Sequence, residues 1–415
     1  MRDILFIAHR IPYPPDKGDK IRAWNILQHL ASRYRVHLGA FIDEPEDVRG
    51  IKRLERICAS VFWLPLSPRL ARLRSLFCLL SGAPLTQGYF GDARFRAGIE
   101  RIVARHKPSL FYIFSSAMAP YVAHHQGARV IIDMVDVDSE KWRQYAETSS
   151  GLARLIYARE GRAMLALERQ AAAAADAVVF VSRAEAELFT RLAPEAASRT
   201  HYVSNGVDID HFNPSLTFPN PLGDRPAIVF TGAMDYRPNV EAMTWFVRQV
   251  LPRLRAHPTA PCLWIVGSNP SRAVLALAGP DVRVTGRVPD VRPYLSHARA
   301  VVAPLQIGRG IQNKVLEAMA MGAAIVVTPQ AREGLDHCRD DELLTAATPV
   351  AFADAVCRVL NGEAGQIGAR ARARVVRDYG WQASLAALDR LVDAEPSEPA
   401  VPGGRPALTA LDVSA

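Results

Sequence analysis

The stretch GRGIQNKVLEAMAMG, residues 308–322, carries a single carboxylate, Glu317, in an otherwise apolar helical pattern. Two glycines, Gly308 and Gly310, permit tight backbone turns ahead of it. Gly310, Ile311, Gln312, Asn313 and Lys314 then lead into a helix start. The first N–H groups of a helix have no acceptor within it, and with the positive end of the helix dipole they attract anions. With the charge of Lys314 added, the arrangement suits a diphosphate. Glu317 stands one turn later, where a carboxylate can accept hydrogen bonds from the two adjacent hydroxyls of a ribose. Val315, Leu316, Ala318, Met319 and Met321 would cover its other sides. The competing reading is an i,i+3 ion pair between Lys314 and Glu317, worth only about 0.2–0.5 kcal/mol. An unpaired charge on so apolar a helix is costly, which favours a ligand-binding role.

Other strand ends carry further candidates. FTGAMDYRPN (230–239) offers Gly232, which lets backbone approach a ligand closely, and Arg237, a permanent cation that forks onto phosphate oxygens or simply decorates a turn. In HRIPYPPDKGDK (9–20), Gly18 precedes a helix opened by Asp19 and Lys20, read equally well as an anion-binding loop or as a capped turn. VIIDMVDVDSEKW (130–142) gathers Asp133, Asp136 and Asp138. Its DVD is a DxD pattern of the metal-holding kind, repeated as DID at 208–210, but such short matches arise by chance. Capping of the following helix is the preferred role for Asp138 or Ser139, leaving Asp136 as the site candidate. GxSxG, Walker A and HExxH motifs are absent, so kinase, serine hydrolase and metalloprotease chemistry has no support.

These residues need a scaffold, and the chain supplies a regular one. Short β-branched runs without alternation, such as DILFIA, LFYIF, RVIIDM and AVVFV, are separated by amphipathic helical stretches. That pattern predicts parallel strands buried on both faces of a doubly wound α/β sheet. HYVSNGVDIDHFNP (201–214), with its Asn205-Gly206 turn, interrupts the rhythm and reads as an interdomain linker. The rhythm then restarts with PAIVFTG, CLWIVG, DVRVTG, RAVVAP and AAIVVT. We therefore expect two Rossmann-like domains facing a cleft, residues 1–205 and 206–378. A last helix, 379–394, is placed to pack back on the first domain, and a Pro/Gly/Ala-rich tail, 395–415, is expected to be disordered. In open sheets of this kind, ligands bind beyond the carboxyl ends of the strands.

Composition narrows the class. The chain has 415 residues, too many for one core, with 49% hydrophobic and 22% charged residues. Five scattered cysteines form no CxxC pair, so neither a disulfide framework nor a zinc site is indicated. No stretch approaches the roughly 18 apolar residues of a membrane span, and the N-terminus lacks signal-peptide character, which points to the cytoplasm. A net charge of +8 could attract an anionic ligand or an anionic membrane surface; no motif favours nucleic acid. RLARLRSLFCLL (69–80) reads either as a basic amphipathic helix lying on anionic lipid or, more commonly for such patterns, as a domain helix with a solvated basic face.

With these pieces in order, the chain resembles the GT-B glycosyltransferases of family 4 over nearly its whole length except the tail. SRAEAELF (182–189), VSNGVDIDHFNP, LWIVGSNP, VTGRVPDVRPYLSHARAVVAPL and NKVLEAMAMGAAIVVT are similar to family segments that occur in this order. GAMDYRPNVEAM and GIQNKVLEAMAMG are most similar to sugar transferases of exopolysaccharide or PEP-CTERM/exosortase-associated systems. The resemblance implies retaining transfer of a sugar from a nucleotide-sugar donor to a saccharide or lipid-linked acceptor, without metal or other cofactor. It implies donor binding by Glu317 at the ribose, residues 310–314 at the diphosphate, Gly232 and Arg237 at the phosphates, and Arg287 and Val288 at the nucleobase. Gly18 and Asp136 match first-domain catalytic positions. Two departures stand out. Arg309 occupies the position of the first Glu of the family's Glu-x7-Glu motif, which leaves the donor sugar open. Val135 occupies the histidine position of a His-Asp pair, so only Asp136 carries over. A GT-B-like nucleotide-sugar epimerase or hydrolase, or a non-catalytic subunit of a polysaccharide assembly complex, are the alternatives.

Overall fold

The computed structural model describes residues 2–122, 127–307, 310–335 and 337–394. The chain divides into two compact units: Met1–Val203 with the chain from Leu385 onward, and Ser204–Ser384.

In the first unit, seven parallel strands are β1 (Asp3–Ala8), β2 (Arg35–Ile42), β3 (Ser60–Pro65), β4 (Leu110–Phe114), β5 (Arg129–Val135), β6 (Ala177–Phe180) and β7 (Thr200–Tyr202). They lie in the order β3-β2-β1-β4-β5-β6-β7. The order reverses between β1 and β4, so their carboxyl ends flank the crevice where such sheets bind ligands. The central strands are buried on both faces, because helices cover each side. Leu5, Ile7, Phe41, Phe95, Phe111 and Ile132 belong to the core this produces. Arg22, fully buried, forks onto Asp133 at 2.9 and 3.2 Å and donates to the Val203 carbonyl at 2.8 Å. Tyr112 donates to the same carboxylate at 2.7 Å. Such a network ties the first helix, β4, β5 and the end of the unit together, and leaving any member unpaired would be costly.

The second unit has six parallel strands: β8 (Ala227–Thr231), β9 (Cys262–Val266), β10 (Val282–Gly286), β11 (Ala300–Ala303), β12 (Ile325–Val327) and β13 (Leu344–Thr345). Their order is β10-β9-β8-β11-β12-β13, with the reversal between β8 and β11. β7 and β13, of three and two residues, are too short to show in a hydrophobic pattern. Accordingly, the segment read as a linker from residue 201 begins inside a strand. The helix Trp381–Asp393 begins against Gly206, where an added Cβ would lie 2.7 Å from the Trp381 backbone. Its later turns belong to the first unit: Asp389 meets His29 at 2.6 Å, Asp393 meets Arg33 at 2.8 Å, and Arg129 donates to the Leu391 carbonyl at 3.0 Å. Residues 395–415, Gly308 and Arg309 lie outside the described residues. Among the described residues, no helix is long and apolar enough to cross a membrane.

Candidate functional site

The second unit converges on the ends of β8 and β11. At the end of β8, Gly232 has φ +156°, and a Cβ there would sit 2.7 Å from Asn239 Nδ2 and 3.4 Å from Lys314 Nζ. A Cβ on Gly267, at the end of β9, would fall 1.6 Å from the Gly232 carbonyl oxygen. Both positions exclude a side chain, and the strand ends therefore present bare backbone. The helix Asn313–Ala320 follows β11, with Gln312 as its N-cap, whose side chain makes no capping bond to the first N–H groups. Gly310 turns at φ +66°, and Ile311 packs inward with 7% exposure.

Lys314 does not pair with Glu317. Its ammonium donates to Asn239 Oδ1 at 2.5 Å and lies 4.7 Å over the Phe230 ring. Asn239 is oriented for this by donating its own Nδ2 to the Ala233 carbonyl at 2.8 Å. Asn313 accepts from Asn205 at 2.9 Å, which joins the NG turn to the helix start. Among the described residues, no side chain donates to the Glu317 carboxylate. Burial pushes that carboxyl up to about 7 against the opposing pull of Lys314, and burial pushes Lys314 down to about 7 against the pull of Glu317. A cation and a carboxylate held apart in a poorly solvated place are incompletely compensated, which is the state expected of groups awaiting a ligand.

Arg237 opens its helix and donates to Glu241 one turn on at 2.7 Å. It is therefore partly neutralised, while Lys314 faces the same strand end. Arg287 is exposed and Val288 half-buried just beyond β10.

In the first unit, β5 carries a register shift after Asp133, and Val135 takes φ +67°. A β-branched residue in the left-handed region is strained, and strain of this kind collects at functional sites. Here it turns the chain so that Asp136 leaves the sheet. Burial pushes the Asp136 carboxyl up to about 6, with Lys141 at 3.8 Å opposing. Asp133 instead belongs to the buried Arg22 network. The capping expectation for Asp138 and Ser139 fails. The helix Asp138–Glu147 starts at Val137 without a side-chain cap. Its first amides are met from neighbouring helices: Glu185 accepts from Val137 N at 2.7 Å, and Glu168 from Ser139 N at 3.0 Å. Asp138 pairs with Lys141 at 2.9 Å. In the DID sequence, Asp208 accepts from His211 N at 2.9 Å and so closes a local turn.

Gly18 is exposed at the first residue of the helix Gly18–Arg33. The same loop holds groups that the motif reading passed over. His9 leaves the end of β1, stacks on Phe114 at 5.9 Å, and points Nε2 at Asp19, 3.3 Å away. Arg10 bridges Asp19 at 3.0 Å and Asp43 at 2.6 Å. Burial would raise the Asp19 carboxyl, but His9 and Arg10 outweigh it and hold it low. His9 Nδ1 and Asp43 Oδ1 are buried with no hydrogen-bond partner among the described residues. Asp19 takes the Nε2 side of the ring, which leaves Nδ1 as the ring atom open to a ligand. A polar pair directly after the first strand, in HRIPYPPDKGDK, was the available signal; Asn239, at the end of FTGAMDYRPN, was likewise in view. Asn205 and Phe230 gave none, since a turn residue and a strand aromatic have ordinary structural uses.

One further cluster, Asp3, His37 and His106, brings three ligand-type groups within 4.8 Å. It lies at the opposite end of the sheet. His37 already contacts Asp3 and Ser60 at 2.8 Å each, and its ring stacks on His106 at 3.9 Å. Metals bind in the plane of an imidazole, so stacked rings are poorly disposed to share one, and we assign the cluster no role in the site.

Two doubly wound units in tandem, the second with an uncapped helix start and a lysine at its switch point, define the GT-B class of fold. Solved structures agree. Sucrose-phosphate synthase from Thermosynechococcus elongatus matches with TM-score 0.68 and 17% identity over 94% of this chain and 98% of that one. HepE from Anabaena, solved with UDP and glucose, matches with TM-score 0.66 and 14% identity over 94% and 99%. WaaG, a glycosyltransferase involved in lipopolysaccharide biosynthesis, gives 0.66 and 16% over 94% and 100%.

The family follows from sequence. Residues 225–362 match the model for "Glycosyl transferases group 1", and residues 19–206 match the "Glycosyl transferase 4-like domain". The chain is a glycosyltransferase with a 4-like first domain and a group 1 second domain. A D-inositol 3-phosphate glycosyltransferase from Xylanimonas cellulosilytica is 30% identical over 259 residues, which are 56% of this chain and 60% of that relative. The match thus spans less than two thirds of the relative.

Proposed function

We propose that the protein is a retaining glycosyltransferase. It moves a sugar from a nucleotide-sugar donor to a saccharide or lipid-linked saccharide in cell-surface or exopolysaccharide synthesis, working peripherally at the inner face of the membrane. The observation that carries this reading is the Gly232–Asn239–Lys314 cradle beside Glu317, a carboxylate with no side-chain donor among the described residues, on a group 1 domain. In this reading Glu317 accepts from the ribose hydroxyls. The first amides of residues 310–314, Lys314 and Arg237 hold the diphosphate, and Arg287 and Val288 frame the base. Arg309, by its position in the sequence, is assigned to the donor sugar.

Chemically, the bond from the anomeric carbon to the diphosphate oxygen breaks as the acceptor oxygen bonds to that carbon on the same face. The acceptor proton passes to the leaving phosphate oxygen. The enzyme's contribution is positioning and stabilisation of charge developing on the leaving group. Lys314 suits this role because the arriving anion restores the charge that burial disfavours. Gly18, Asp136 and His9 are assigned to the acceptor. Metal plays no part in this scheme.

The test is turnover with UDP-, GDP-, ADP- and TDP-sugars and a panel of acceptors. Nucleoside diphosphate release that requires an acceptor, persists in EDTA and gives a product of unchanged anomeric configuration is the expected result. Inversion, or a requirement for Mn²⁺, overturns the mechanism; sugar products formed without acceptor indicate a hydrolase or epimerase.

A further inference from the structure

The sequence 68–81 forms two consecutive helices, Pro68–Leu76 and Cys78–Ser81, and they are mounted the wrong way round for a soluble domain. Their small residues face the protein: Ala71, Ser75 and Cys78 are 1%, 8% and 3% exposed. Their large apolar residues face outward, with Leu70 at 68%, Leu73 at 61%, Phe77 at 70% and Leu80 at 89%. Positions 70, 73, 77 and 80 have the spacing of one helical face. An ordinary surface helix buries that face and exposes the other.

Packing fixes this orientation. Gly88, in the helix Leu85–Phe90, lies so close that a Cβ there would be 2.4 Å from Cys78 Sγ and 2.9 Å from Ser75 Cα. Arg74 donates to the Gly88 and Tyr89 carbonyls at 2.9 and 2.8 Å. Rotating the leucines inward would drive them into that backbone. Nearby, the helix Gly151–Ala174 exposes Leu152 (72%) and Leu155 (68%) in its first turns. Arg159 of that helix donates to the Cys78 carbonyl, which joins its start to the inverted helices.

The exposed charge beside these residues is basic: Arg74 and Arg159 are met by Asp92 at 3.6 Å and Glu160 at 3.1 Å, whereas Arg69, Arg72 and Arg154 have no carboxylate against them among the described residues. Residues 56–91 contain Arg56, Arg69, Arg72 and Arg74 and no carboxylate, and residues 148–159 contain Arg154 and Arg159 and none either. Arg69, Arg72 and Arg154 are exposed beside the apolar side chains. We propose that this face of the first unit docks on an anionic phospholipid surface. Leu70, Leu73, Phe77, Leu80, Leu152 and Leu155 enter the acyl boundary, and Arg69, Arg72 and Arg154 sit at the phosphates. A second copy of the chain is a poor occupant. A two-fold contact through this patch would set Arg69, Arg72 and Arg154 against their own copies, while the bordering Asp92 and Glu160 are already taken up by Arg74 and Arg159. The proposal concerns only the membrane part of the functional reading, and it is independent of the transfer chemistry.

The test is co-sedimentation of the full chain with vesicles of phosphatidylcholine alone or with about one third phosphatidylglycerol. The expected result is binding to the anionic vesicles, weakened at least tenfold by 0.5 M salt. Phe77→Glu with Leu80→Glu should lower the partition coefficient at least tenfold. Arg69→Gln with Arg72→Gln should lower it several-fold, on anionic vesicles only. All four positions are exposed, and a nucleotide-sugar thermal shift equal to the wild type's confirms that each variant is folded. If the wild type fails to sediment with anionic vesicles, or the Phe77/Leu80 variant binds as well as wild type, the proposal is wrong. A concentration-dependent dimer abolished by the same variants would assign the face to a second copy instead.

Discussion

The two switch points of this chain solve one problem in opposite ways. In the first unit, the groups beyond β1 are ionically saturated: Arg10 spans Asp19 and Asp43, and Lys20 meets Asp47 at 2.6 Å. What is left open there is a histidine nitrogen, His9 Nδ1, and the second oxygen of a carboxylate, Asp43, that already holds Arg10. In the second unit, the groups beyond β8 and β11 are few and undercompensated: Lys314 has an amide oxygen and a ring face, and Glu317 has no side-chain donor among the described residues. A saturated site can orient a neutral hydroxyl without large electrostatic cost. An undersaturated one is suited to a ligand that brings its own charge and its own hydroxyls. The difference teaches that polarity alone does not separate the two ends; how far their charges are met does.

The most severe way to break the comparison is Glu317→Ala. We expect kcat/KM for the donor to fall by about 100-fold or more, as when a buried polar contact to a substrate is deleted. The melting temperature of the unliganded protein should not fall, because an uncompensated carboxylate is removed. Unchanged donor kinetics would end the ribose assignment. Lys314→Met should cost about 10–100-fold in diphosphate affinity, the worth of one charge-assisted contact, measured by calorimetry with the nucleoside diphosphate alone. Smaller still, His9→Ala should reduce acceptor kcat/KM by about tenfold while donor affinity is unchanged; a donor-side loss would erase the distinction between the two units.

The mildest effect is in pH. Glu317 ordinarily titrates near 4.5 and is held at about 7 when folded, so between these values the folded chain keeps a proton that the unfolded chain loses. Stability therefore falls as pH rises through that window. Lys314 titrates at about 7 when folded against an ordinary 10.5, so above pH 7 the unfolded chain holds the extra proton and stability recovers. Urea titrations should show a minimum near neutrality, about 1–3 kcal/mol deep, and Glu317→Gln should remove its acid side. A monotonic profile in the wild type would mean that these groups are better solvated than the structure shows.

Much of this was legible in the chain. Parallel strands announce themselves as β-branched runs because both faces are buried, and DILFIA, LFYIF and PAIVFTG each became one. Glu317 was legible because a carboxylate in VLEAMAM has no local reason to be there. Hidden were the residues whose role depends on who stands opposite. Asn239 looks like a helix-start residue until Lys314 reaches it across the β8–β11 junction, and Ser139 looks like a cap until Glu168 takes its amide. RLARLRSLFCLL was ambiguous for the same reason: its periodicity gave two faces, and only Gly88 determined which one points outward.

By itself, then, the sequence determined the two α/β units, the helix start at 310–314 and the lone carboxylate, because these follow from local pattern and the cost of burial. Tertiary structure decided which charges are met and which are left open. That depends on side chains brought together from distant strands, and local spacing carries no record of them.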